Sequence, residues 1–298
     1  MSFFIKRLTI IGVGLIGGSL ARALKARQMV GEVVGVNRTR DSLAKALELG
    51  VIDRCTTSAS EGVRGAELVL VATPVLTIPR IVEDFAQALD SGCVVTDAGS
   101  VKGTVVAPCE ALMPQGVHFV GGHPIAGTEH SGVEASFATL YKGSRTILTP
   151  TATTDPGALE LVRRMWEAVG SHVETMEVVT HDRVLGATSH LPHLIAYNVV
   201  NTLSDLEDDI RAEVFRYAAG GFRDFTRIAS SDPAMWRDIC LSNRESILDI
   251  LTRFRDALEV LTQRVRDGDR DGLYGTFARS KRTRDGILQA HKKKVESE

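Results

Sequence analysis

The sequence has little that would cross-link it, anchor it or charge it. Its 298 residues hold four cysteines, Cys55, Cys93, Cys109 and Cys240, with no CxxC spacing among them. That excludes a dense disulfide framework and a cysteine-rich zinc module. Reduced thiols in a cytoplasmic protein are the expectation. No apolar stretch approaches the roughly 20 residues of a membrane-spanning helix, so no membrane partner is expected. Near the start, Lys6 and Arg7 precede only a short apolar run that leads straight into Gly12. A secretory leader would need a longer apolar stretch and a small-residue cleavage site. The net charge is −2, with 35 basic and 37 acidic residues interspersed. A nucleic-acid binder would carry a basic footprint, so no nucleic-acid partner is expected. No internal repeat or low-complexity tract is present, and the basic tail Lys292-Lys293-Lys294 reads as a solvated end.

What is present is an alternation of two textures. Short apolar runs at 8–11, 33–36, 68–72, 93–96, 118–120, 146–148 and 172–178 have the length and β-branching of buried strands. Between them lie amphipathic segments. Ile16, Leu20, Ala23 and Leu24 share one helical face, and a second helix carrying Leu43, Ala46 and Leu47 stops at Gly50. A third carries Ile78, Ile81, Val82 and Phe85. This alternation predicts an α/β Rossmann domain with a mostly parallel sheet and right-handed crossovers over residues 1–178.

After about residue 180 strand signals vanish, and an all-α dimerisation domain over residues 179–298 is expected. Asp232-Pro233 reads as an N-cap followed by a first-turn proline. One helix from there to Gly268 is expected, roughly 50 Å long at 1.5 Å per residue. Its seam is Ile247, Leu251, Phe254, Leu258, Leu261 and Val265, a 3.5-residue repeat that presents one narrow stripe to a partner helix. One small domain cannot easily cover such a helix, so a homodimer through the C-terminal helices is expected. Packing within one subunit is the other reading.

Gly12, Gly14 and Gly17 fit G-x-G-x-x-G between the first strand and the first helix. Gly12 permits the tight turn, Gly14 lets a pyrophosphate approach the backbone, and Gly17 lets helix and strand pack closely. The helix N-terminus then offers free N–H groups to the phosphates. Leu15 and Ile16 complete the loop, and Thr73 and Pro74 join the expected cofactor-binding set. A methyltransferase loop, or a turn serving packing alone, is the competing reading of the glycines.

The acid that holds the ribose 2′-hydroxyl of NAD belongs about 20 residues past the loop. Asn37 stands there, followed by Arg38, Thr39 and Arg40. Asn does not repel a 2′-phosphate, and two arginines could bind one. NADP is therefore expected to be accepted and even preferred, with NAD as the alternative. In that alternative the arginines face solvent and Asn37 still holds a 2′-hydroxyl.

Polar density is concentrated in three places. Asp97-Ala-Gly-Ser-Val-Lys102 follows the fourth predicted strand, and Gly121-Gly-His-Pro-Ile-Ala-Gly-Thr-Glu129 follows the fifth. Both fall at the carboxyl edge of the sheet, where ligands of α/β folds bind. Ser189-His-Leu-Pro-His193 opens the helical region, joined by Gly220-Gly-Phe-Arg-Asp-Phe-Thr-Arg227 and Asp232-Pro-Ala-Met-Trp236.

With GVGLIGGSLA, these motifs (DAGSVK, GGHPIAGTEHSG, SHLPH, GGFRDFTRIA, DPAMW) resemble the prephenate/arogenate dehydrogenase family. They run in the family's order across about residues 8 to 240. The resemblance implies oxidative decarboxylation of prephenate to 4-hydroxyphenylpyruvate, or of arogenate to tyrosine. It implies His123 as the base that takes the ring-hydroxyl proton and Ser100 as its partner on the same hydroxyl. It makes Arg227 the fixed cation for a substrate carboxylate and sets Ser189, His193, Thr128, Glu129 and Trp236 around the substrate. NAD-using members typically carry Asp where Asn37 stands.

Bland readings remain beside these. His123 could be a structural histidine, Arg227 an ordinary ion-pairing arginine and Trp236 core. Lys102 either fixes its loop or sits near the cofactor. His190 and His193 are three apart but lack a third ligand at suitable spacing, so no metal is expected. Other Rossmann-plus-helical dehydrogenases, acting on hydroxy acids or imines, usually rely on a helix lysine instead of a loop histidine. A non-catalytic nicotinamide-binding regulator would keep the glycine loop without needing His123, Ser100 and Arg227.

Overall fold

The computed structural model describes residues 3–297, without the side chains of Asp209, Phe215 and residues 290–297. The Lys292-Lys293-Lys294 tail therefore lies outside the described side chains.

Among the described residues nine strands form two sheets. β1 (Ile5–Ile11), β2 (Val30–Val36), β3 (Arg54–Thr56), β4 (Leu68–Val71), β5 (Val94–Asp97) and β6 (His118–Val120) make a six-stranded sheet in the order β3-β2-β1-β4-β5-β6. Every pairing in it is parallel. The central strands are buried on both faces, which is why they read as apolar runs. Along β4, Leu68 and Leu70 join one core cluster while Val69 and Val71 join the cluster on the opposite face. The period of two in side-chain direction splits the core this way. Three-residue β3 sits at the edge with Arg54 and Cys55 exposed, so it has no apolar run to announce it.

The crossovers include α1 (Leu15–Ala26), α2 (Arg40–Glu48), the single turn α3 (Ala59–Gly62), α4 (Ile78–Phe85) and α5 (Val106–Leu112). α1 turns Leu20, Ala21, Ala23 and Leu24 into the core. β7 (Gly122–Ile125), β8 (Arg145–Leu148) and β9 (His172–Thr175) make the second sheet, with α6 (Pro156–Ala168) between the last two. β7 runs antiparallel to β8. The polar segment that follows β6 is itself a strand, with Gly122, His123 and Pro124 buried.

The run expected as strand over 172–178 stops at Thr175. The Glu177 carboxylate accepts the backbone N–H groups of Val179 and Thr180 at 3.1 and 2.8 Å, starting a helix instead. That helix is α7 (Val178–Leu185), which passes through one π turn (Gly186–His190) into α8 (Leu191–Ser204). Then come α9 (Asp208–Arg216), α10 (Gly220–Thr226), α11 (Pro233–Ser242), α12 (Arg244–Asp267) and α13 (Arg270–Ser297). Asp232 caps α11 through Met235 N at 2.8 Å, as its sequence predicts.

The single helix expected from Pro233 to Gly268 is broken at Asn243, whose φ of −108° and ψ of 37° leave the helical region. The buried Asn243 amide donates to Asp182 O at 2.7 Å and contacts His190 Nδ1 at 3.1 Å. Those bonds hold the chain out of helical register. By compactness the chain divides into Met1–Ile247 and Leu248–Glu298. In the second unit Gly268, with φ +63°, ends α12, and the Asp269 carboxylate accepts Gly272 N at 2.9 Å to start α13. Along the seam, Leu258 and Val265 stay 49% and 64% exposed.

Candidate active site

The glycine loop is built as its spacing predicts. Gly12 has φ +95°, and a Cβ there would meet Ala72 O at 2.4 Å. A Cβ at Gly17 would meet Gly12 O and Ile10 Cγ2, each at 2.6 Å, so α1 packs hard against β1. A Cβ at Gly14 would meet nothing within 4 Å. The N-terminus of α1 carries neither a capping side chain nor an acid in its first turn. An open approach to uncapped N–H groups fits a dinucleotide pyrophosphate. Leu15 is buried beneath the loop, and the half-buried Ile16 gives its carbonyl to the Tyr141 hydroxyl at 2.6 Å. Thr73 and Pro74 follow β4 at the same carboxyl edge, with Thr73 Cγ2 beside the Gly12 turn.

Asn37, just past β2, turns its amide toward this loop. Its Oδ1 accepts Val13 N at 2.9 Å, and its Nδ2 donates to Val13 O at 3.4 Å and Ser42 Oγ at 3.1 Å. Asn37 therefore braces the glycine loop, while Arg38, Thr39 and Arg40 are exposed around it.

His123 lies on β7, 8% exposed. The residue before it is clamped at both backbone polar atoms. Gly122 N donates to Asp97 Oδ1 at 3.0 Å, and Gly122 O accepts Lys102 Nζ at 2.7 Å. Lys102 also forms a fully buried ion pair with Asp97. These bonds make Lys102 a brace of its loop. Burial, followed by the nearby His181, Lys102 and His190, holds the His123 pKa well below the usual histidine value. The imidazole is therefore a neutral base at neutral pH.

Behind His123 stand two residues that the sequence reading missed. His123 Nδ1 lies 2.9 Å from His181 Nε2, and His181 Nδ1 lies 2.8 Å from Asp182 Oδ1. The Asp182 carboxylate also accepts Lys102 N at 2.8 Å and Gly103 N at 2.7 Å. Burial opposes its charge, but the bonds from His181, Lys102 and Gly103 outweigh that and hold its pKa below the usual carboxylate value. The available signal lay on α7, where Val178, His181, Asp182 and Leu185 share one helical face. Three of those four are buried, and a His–Asp pair on an apolar stripe needs an inward partner.

The remaining motifs meet in pairs. The π turn buries His190, whose pKa falls to about 4 mainly through burial. His193 Nδ1 donates to Ser189 O at 2.9 Å, and its ring stacks on Trp236 with centroids 3.9 Å apart. Trp236 is 6% exposed and belongs to the core, so it supports the His193 ring. Arg227, exposed in the turn after α10, pairs with Glu129 at 3.0 Å and ties that turn to the loop after β7. In that loop the exposed Thr128 hydroxyl accepts His130 N at 3.2 Å. Ser100 is half-buried in the bend between β5 and α5. Among the described residues no group of three or more His, Cys, Asp or Glu is placed to hold a metal ion. Among them too, no helix is long and apolar enough to cross a membrane.

Comparison with known proteins agrees with this arrangement. Residues 20–175 match the prephenate dehydrogenase nucleotide-binding domain, and residues 177–279 match the prephenate dehydrogenase dimerization domain. The chain is 37% identical over 288 residues to a cyclohexadienyl dehydrogenase of Zymomonas mobilis, covering 96% of this chain and 97% of that one. It is 37% identical over 281 residues to a prephenate dehydrogenase of Bacillus subtilis, covering 94% and 76% respectively. Its fold resembles the crystal structure of prephenate dehydrogenase from Aquifex aeolicus in complex with hydroxyphenyl propionate and NAD+. The TM-score is 0.88 at 41% identity, covering 96% of this chain and 100% of that one. Both domain matches, with relatives 37% identical over nearly the whole chain, place it in the prephenate/cyclohexadienyl dehydrogenase family, the NAD-dependent oxidoreductases of tyrosine biosynthesis.

Proposed function

We propose that this enzyme oxidises and decarboxylates prephenate, arogenate or both at the site centred on His123. The observation that carries this reading is the buried His123, neutral at neutral pH and clamped at Gly122 beside the carboxyl edge of the sheet. The substrate ring carries a hydroxyl and, across the ring, a carboxylate. His123 Nε2 takes the hydroxyl proton, and Ser100 hydrogen-bonds the same oxygen. A bound nicotinamide supplies the hydride acceptor. The electrons freed at the hydroxyl oxygen form the ring carbonyl as the hydride leaves its carbon. Loss of CO2 then returns an electron pair to the ring, which becomes aromatic and is protonated on oxygen. Arg227 holds a substrate carboxylate as a planar fork. Thr128, Glu129, Ser189 and His193 line the substrate, with Trp236 backing His193.

The nucleotide is held by Gly12, Gly14, Leu15, Ile16, Gly17, Thr73 and Pro74, with Asn37, Arg38, Thr39 and Arg40 at its ribose end. NADP is accepted alongside NAD in this reading, with the preference between them set by Asn37, Arg38 and Arg40. Support comes from an Asn where an acid would repel a 2′-phosphate, and from two exposed arginines beside it. The functional division is a dinucleotide-binding domain over 1–178 and a helical substrate and dimerisation domain over 179–298. The enzyme works in the cytoplasm as a homodimer through its C-terminal helices. The four free cysteines and the exposed Leu258 and Val265 on the seam of α12 support this.

The test is reduced-nicotinamide absorbance on mixing the protein with prephenate or arogenate, each with NAD or NADP. Rapid reduction with one pair establishes the reaction and assigns substrate and cofactor together. No reduction with any of the four pairs, from protein that binds nucleotide, sinks the reading.

A further inference from the structure

We propose that His181 and Asp182 are positioning residues that form a relay behind His123, fixing its tautomer so that Nε2 is the basic nitrogen. The inference rests on the role proposed for His123 above. It follows from which atoms can donate. The Asp182 carboxylate is an acceptor only, and it already takes Lys102 N and Gly103 N. The nitrogen 2.8 Å from it, His181 Nδ1, therefore carries hydrogen. In a neutral His181 that leaves Nε2 bare, so it accepts from His123 Nδ1 at 2.9 Å. His123 is then the Nδ1–H tautomer, with the lone pair on Nε2.

The two imidazole rings meet edge to face, at 66° between planes and 5.1 Å between centroids, which aligns the shared nitrogen contact. His181 is fully buried at the inward face of α7, so no water competes for its Nε2. When His123 takes the hydroxyl proton, the substrate O–H bond breaks and an Nε2–H bond forms. The new imidazolium still donates through Nδ1 to His181, whose own N–H points at the carboxylate. The negative charge of Asp182 thus stabilises the cation at one remove. Other charged or titratable groups near these residues are the Lys102–Asp97 pair and the neutral ring of His190. The same Asp182 carboxylate ties the Lys102-Gly103 turn to α7, so the motif that clamps Gly122 also anchors the relay.

The test begins on the resting protein, with no substrate. Nitrogen-15 NMR of the histidine rings, with His123→Asn assigning the signal, should show hydrogen on His123 Nδ1 and none on Nε2. Hydrogen on His123 Nε2, the state imposed by a doubly protonated His181, overturns the relay. Kinetics form the second arm. His181→Phe removes the acceptor and should lower kcat about 100-fold. KM and nucleotide affinity should stay within about threefold. His181→Gln, whose Oε1 can accept from His123 Nδ1, should restore the Nδ1–H tautomer and part of kcat, and it covers the case in which the Phe variant does not fold. Unchanged kcat in a folded His181→Phe variant, or in a folded His181→Gln variant that has lost the Nδ1–H tautomer, overturns the relay. Absence of turnover in the wild-type protein would instead sink the proposed reaction, and the NMR result would stand separately.

Discussion

Lys102 and Asp97 form a fully buried ion pair whose two members hold the carbonyl and the N–H of Gly122, the residue before His123. The position of the candidate base is therefore set by an electrostatic clamp from a neighbouring strand. Replacing Lys102 with Met leaves the Asp97 carboxylate buried without its cation. Breaking one side of such a pair typically costs about 3–5 kcal/mol. Denaturant unfolding of Lys102→Met should show a loss of that size. Gly99 N also donates to Asp97 Oδ2 at 2.8 Å, and a loss below about 1 kcal/mol would mean that the Gly99 and Gly122 N–H groups alone sustain the carboxylate.

The glycine loop separates two roles that one motif combines. A Cβ at Gly17 collides with Gly12 O and Ile10, whereas one at Gly14 points into open space. Gly17→Ala should lower stability. Gly14→Val should leave the unfolding midpoint nearly unchanged while weakening nucleotide affinity more than tenfold, read by fluorescence titration. Equal nucleotide binding in Gly14→Val would remove that approach from the cofactor site.

Low pH should damage both activity and stability. His123 works as the neutral base, so kcat/KM falls as pH drops through its folded pKa, which lies below the usual 6.5. His190 is held neutral with a folded pKa of about 4. Between pH 6.5 and 4 the unfolded chain binds the proton at this position and the folded chain does not, so stability rises with pH across that window. His123 adds in the same direction. Unfolding midpoints measured at pH 8, 6 and 5 should decline in that order, and a flat series would contradict the burial argument.

Arg227 is exposed and already engaged by Glu129, so its loss should barely touch the fold. A charge-assisted bond to a substrate carboxylate is worth roughly 1.5–3 kcal/mol. Arg227→Ala should therefore raise KM by about ten- to hundredfold. An unaltered KM would show that the carboxylate is held elsewhere.

The exposed seam of α12 offers a direct test of assembly. Leu258→Asp places a charge on the apolar stripe, and sedimentation should show a shift toward monomer, with the spectrum of a folded protein retained. Unchanged sedimentation as a dimer would move the interface off this seam.

Much of this protein was determined locally. Strands buried on both faces must be apolar runs, so β1, β2, β4, β5, β6 and β8 were legible in the amino-acid order; β9 was legible with its end overrun, and the glycine turn and the Asp232 cap were legible too. The six motifs also marked His123 and Arg227. The strand at 54–56 was hidden because an exposed edge needs no apolar run, and β7 because its residues read as a polar segment. The break at Asn243 escaped because Asp182 and His190, which hold its amide, are 61 and 53 residues away in sequence. For the same reason only the tertiary structure decided what stands behind the base. His181 is 58 residues from His123, and no period or spacing encodes a contact between an antiparallel strand and a helix that meet by topology. Periodicity records which way a side chain faces along its own element, whereas a hydrogen-bond partner is chosen by where the fold brings another element.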